Sequence, residues 1–87
     1  TMHPSKYGAR ALDKARTDII LARLLDQGET SHKVLREQII KDYLLAYTSR
    51  TVDHSDNARW GMIAQLWALH GQAKIFRDIR KGTWVLC

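Results

Sequence analysis

Lys74, Arg77, Arg80 and Lys81 crowd the C-terminal end of the chain against a single acid, Asp78. Cations at that density neutralise phosphate oxygens, and each contact adds a salt-sensitive increment to polyanion affinity. Other chemistry has no footing. The four histidines, His3, His32, His54 and His70, are widely spaced, and none stands at ligand spacing from a cysteine or a second histidine. No glycine-rich loop cradles a phosphate, and the one cysteine, Cys87, has no base beside it. The chain is therefore expected to be a non-enzyme with no cofactor and no metal.

Two short strands must position the terminal cations. Lys74 to Ile79 and Thr83 to Leu86 are rich in β-branched and aromatic residues. They flank Arg80-Lys81-Gly82, where Gly82 supplies the positive φ of a tight connection. Everything before this hairpin carries helical spacing. Ala9 to Asp26 contains no Gly or Pro, and Leu12, Ala15, Ile19 and Ala22 mark one face, widened by Leu21, Leu24 and Leu25. Gly28 closes that helix. Thr30 or Ser31 caps a second helix that reaches Ala46 or Tyr47, with Leu35, Ile39, Tyr43 and Ala46 on one side. Its C-terminal half is apolar enough to lie between neighbours. Thr48 to Asn57 is a polar loop, and Asp53 or Ser55 caps a third helix from Asp56 to His70. Trp60, Ile63, Ala64 and Trp67 form its expected buried side, and Trp84 is expected to pack on the helices.

Eighty-seven residues make one small domain with a limited core. Residues 1–8 are read as an irregular basic arm and 9–87 as the domain. The chain stops inside an apparent strand, so it is expected to be excised from a larger protein. Formal charge is +5, gathered at the two ends: Lys6, Arg10, Lys14 and Arg16 stand against Asp13 at one, and the hairpin cations at the other. That balance favours DNA, RNA or an acidic protein. A single cysteine fits a reducing compartment, and no apolar run is long enough to span a membrane. A cytoplasmic location is expected, or a nuclear one in a host with a nucleus.

Three helices followed by a basic hairpin resemble the winged helix-turn-helix superfamily, at the level of architecture over residues 9–87. The resemblance implies a mainly α domain with a C-terminal β-hairpin. It also implies that the third helix enters the major groove and that the hairpin, the wing, follows the DNA backbone. By position, Asn57, Arg59 and Gln65 would face the groove. Arg77, Arg80 and Lys81, with Lys74, would hold phosphates, and Arg50 would touch the flanking backbone. The expected function is binding of duplex DNA within a regulatory, replication or mobile-element protein. The chain departs from the standard motif in its long second helix and in the long joint before the third. Met62, Leu66 and Leu69 give the third helix a second apolar face. The alternative is therefore a protein-interaction or dimerisation module that docks through those three residues together with the exposed edge of the last strand.

Overall fold

A computed structural model describes residues 11–47 and 55–87, the side chains of 55–58 excepted. The N-terminal arm and Arg50 lie outside the described residues. The order is α1 (Lys14–Gln27), β1 (Thr30–Ser31), α2 (His32–Tyr47), α3 (Ser55–Gly71), β2 (Ile75–Asp78) and β3 (Thr83–Leu86). The fold is mainly α, with a three-stranded antiparallel sheet in the order β1-β3-β2 and a C-terminal hairpin. The arrangement is winged-helix-like.

Helix α1 starts later than Ala9 because Asp13 caps it: the Asp13 carboxylate accepts from the Arg16 backbone N–H at 3.3 Å. The same carboxylate is bound by the Arg16 guanidinium. Burial pushes the Asp13 carboxyl up, but the two bonds from Arg16 outweigh it and hold the group below its ordinary value. At the other end Gly28, with φ 72°, returns its N–H to the Leu24 carbonyl at 2.9 Å. The buried stripe is Thr17, Ile20 and Leu24, rotated from the expected one. Leu12 and Ala22 are exposed, and Leu25 is 77% exposed.

Thr30 does not cap α2. It is a buried strand residue opposite Trp84, and the cap is Ser31, whose Oγ accepts from the Val34 N–H at 3.2 Å. In α2, Leu35, Ile39 and Ile40 are buried. Arg23 of α1 clamps Asp42 of α2 with two bonds, Nε to Oδ2 at 2.7 Å and Nη2 to Oδ1 at 2.9 Å, a bidentate geometry that fixes orientation. The expected burial of the C-terminal half of α2 does not extend to its last turn. Leu45 is 78% exposed, and Ala46 and Tyr47 are exposed with it.

Helix α3 is the centre of the domain, packed against α1, α2 and β2. Met62, Leu66 and Leu69 are core residues, fully or almost fully buried with Ile20, Leu35, Ile39 and Trp84. They form no docking surface, and the last strand, expected to offer an exposed edge, is the middle one of the sheet, paired with β1 on one side and β2 on the other; the interface expected of the interaction alternative is removed. Ala64 and Ala68 are also buried, on other sides of the helix, because small side chains let neighbours approach closely. A Cβ added at Gly61 would come within 2.8 Å of Arg16 Nε on α1. The expected burial of Trp60 is reversed: it lies before the packed section and is 66% exposed.

The hairpin pairs Ile75 with Leu86, Phe76 with Val85, Arg77 with Trp84 and Asp78 with Thr83. Its first strand is shorter than Lys74 to Ile79 because Asp78 closes the turn. The Asp78 carbonyl accepts from Gly82 N–H at 2.8 Å, its carboxylate accepts from Lys81 N–H at 3.1 Å, and Gly82 sits at φ 68°. Beneath β3, fully buried Trp84 meets Trp67 and His70 edge-on, with ring centroids 5.0 and 5.5 Å away.

Candidate nucleic-acid interface

The hairpin tip is docked. The His32 N–H at the start of α2 donates to the Gly82 carbonyl at 2.8 Å. Its ring also receives a hydrogen bond, from Trp84 Nε1 to His32 Nδ1 at 2.9 Å. With Nδ1 accepting, the proton of the neutral imidazole is on Nε2. Burial holds His32 below its ordinary pKa, and the nearby Arg77 and Arg36 charges push the same way. The Arg77 guanidinium lies 5.0 Å from the Trp84 ring centroid, a cation–π contact.

Helix α2 presents cations away from the core. Lys33 and Lys41 are exposed, and Arg36 is half-buried. With Arg59 from the start of α3 they border a groove of about 740 Å³, whose apolar lining is Ile40, Leu44 and the exposed Leu45. Among the described residues none of these four cations forms a salt bridge, although Lys41 lies near enough to Asp42 to help lower its carboxyl pKa, and Glu37 is the one acid among the described lining residues. On α1 the cations are paired: Lys14 with Asp18 at 2.7 Å, Arg16 with Asp13, and Arg23 with Asp42.

The residues expected to bind nucleic acid separate into groups. Arg80 and Lys81 are exposed at the tip, and Lys81 Nζ lies 3.7 Å from Glu29. Arg77 is half-buried against Trp84 rather than extended into solvent. Lys74 is exposed at the base of the hairpin, roughly 13 Å of strand away from Asp78. Arg59 is exposed and faces the groove. Asn57 is on α3, but its side chain lies outside the described residues.

Gln65 is a correction. It is only 3% exposed; its Oε1 accepts from Asp13 N–H at 2.9 Å, and its Nε2 donates to the Ala11 carbonyl at 3.2 Å. The amide is used to tie the entry of α1 to α3, so it does not face a groove. With residues 62–69 of α3 packed on nearly every side, that stretch offers no reading face. Sequence reasoning missed His32, Lys33, Arg36 and Lys41. Their signal was the four-residue step Lys33–Glu37–Lys41 beside Arg36–Ile40–Leu44, a charged row next to an apolar one.

Among the described residues no cluster of His, Cys, Asp and Glu is arranged to hold a metal ion, and no helix is long and apolar enough to cross a membrane. No protein-family model, curated protein or solved structure matches this chain.

Proposed function

We propose that this domain binds nucleic acid, duplex DNA in preference, by holding backbone phosphates along the side where the hairpin tip meets α2. The observation that carries the reading is the bond between His32 N–H and the Gly82 carbonyl. It brings Arg80 and Lys81 to the end of α2 that bears Lys33 and Arg36. The first turn of α2 contains no acid, so its helix dipole adds a positive field at the same place. The arrangement is like that of a winged helix, in which the hairpin follows the DNA backbone, and that likeness supports the same assignment. The burial of Gln65 and of the middle of α3 argues for contact with phosphates rather than base edges. Binding is then largely independent of sequence and strongly dependent on salt. Such a role belongs in the cytoplasm or, in a host that has one, the nucleus.

Fluorescence anisotropy against labelled duplexes of unrelated sequence tests this at low and near-physiological salt. The expected result is similar affinity for each duplex, falling steeply as salt rises. Absence of binding at low salt would remove the reading.

A further inference from the structure

The exposed stripe of α1 and the groove beside α2 are complementary. Along α1, Lys14, Asp18, Ala22 and Asp26 follow four-residue steps with Leu25 beside them, all exposed; the Lys14–Asp18 pair is a solvent-exposed one of small worth that Asp18 can exchange for another cation. A large apolar side chain thus lies on the surface between two carboxylates. Along α2, Lys33, Glu37 and Lys41 follow the same steps beside the apolar lining of Ile40, Leu44 and Leu45. Asp18 to Asp26 and Lys33 to Lys41 both span eight residues, about 12 Å along a helix. When the charged ends are aligned, Glu37 falls opposite Ala22, so the one acid of the groove meets no carboxylate.

We propose that the α1 stripe of a second copy of this chain docks in the groove beside α2. Leu25 covers the Ile40–Leu44–Leu45 lining, and Asp18 and Asp26 meet Lys33 and Lys41, with Arg59 on the opposite wall. The observation is independent of nucleic-acid binding, although both surfaces use Lys33. Among the described residues the groove is lined by no Phe, Tyr or Trp that could stack on a base. An apolar lining with a charged border fits a helix better. Because the two surfaces differ, the contact is head-to-tail and repeats until a ring closes or a chain grows.

Sedimentation velocity in the absence of nucleic acid tests the proposal from low micromolar to near-millimolar protein. Three samples are needed besides the wild type: Asp18→Lys with Asp26→Lys, Lys33→Glu with Lys41→Glu, and an equimolar mixture of the two. The wild type should gain mass with concentration, passing beyond a dimer unless a ring closes. Each double variant should associate at least about tenfold more weakly, since like charges then face each other. The mixture should recover association, because each variant offers a matching face to the other. A variant that loses helical circular dichroism is replaced by Leu25→Ser or Leu45→Ser, with the same loss expected. A wild type that stays monomeric throughout would overturn the proposal and leave the groove to a foreign acidic helix. Association unchanged in both variants, or a mixture that does not recover it, would place self-contact elsewhere.

Discussion

Helices α2 and α3 are similar in length and both rich in apolar residues, yet they do opposite work. Helix α3 is nearly surrounded: Met62, Leu66 and Leu69 face the main core, and Ala64, Gln65 and Ala68 are buried on other sides. Helix α2 buries only Leu35, Ile39 and Ile40 and turns Lys33, Glu37, Lys41 and Leu45 outward. The contrast shows that a mixed pattern can serve two ends. Small residues around a helix permit close packing on several sides, whereas long cations on one side keep that side in water. In the proposed function, phosphate contact falls to α2 and the hairpin tip, and α3 is the post they are mounted on.

The contrast can be broken most forcefully at Trp84, which joins the sheet to both helices. Trp84→Ala should lower stability by about 3–5 kcal/mol, a large share of the roughly 5–15 kcal/mol that holds a small domain together. Urea melts would show it as a much lower midpoint. Arg80→Ala and Lys33→Ala should stay within about 0.5 kcal/mol of the wild type. Gln65→Leu comes next. It strands Asp13 N–H and the Ala11 carbonyl and should destabilise by about 1–3 kcal/mol, while DNA affinity measured on the folded protein is retained. Retained stability with lost binding would restore α3 as a reader.

The smallest effect is one of pH. The folded state of His32 resists protonation, so the unfolded chain takes up the proton more readily. The resulting stability is fully present above about pH 6.5 and declines as pH falls from there through the depressed folded value. His32→Gln should flatten this limb of the stability curve. A separate loss at more acid pH follows from Asp13 and from Asp42, whose carboxyl the Arg23 bonds hold below the ordinary 3.8.

Local signals carried most of the fold to the surface of the sequence. Gly28 and Gly82 are legible as chain reversals because each needs positive φ, and the β-branched and aromatic content of Ile75-Phe76 and Thr83-Trp84-Val85 marks the strands. Strand β1 was hidden, because two residues, Thr30 and Ser31, have no period and acquire strand geometry only by pairing with β3. Trp60 was misplaced, and Met62 left open between core and interface, for a related reason. On a helix with apolar residues on several sides, spacing does not reveal which side meets α1, α2 or the sheet. The site was half legible. Arg80 and Lys81 stand out as a cluster, but their approach to α2 depends on the long-range bond from His32 to Gly82.

The central claim is that the tip and the start of α2 act together on phosphates. It is tested most directly by the salt dependence of duplex binding for Arg80→Ala/Lys81→Ala, for Lys33→Ala/Arg36→Ala and for the fourfold variant. Each lost phosphate contact should reduce the slope of log affinity against log salt by about 0.9. The account predicts a shallower slope in each pair and the shallowest in the fourfold variant, whatever the duplex sequence. A wild-type slope in the Lys33/Arg36 pair would contradict it.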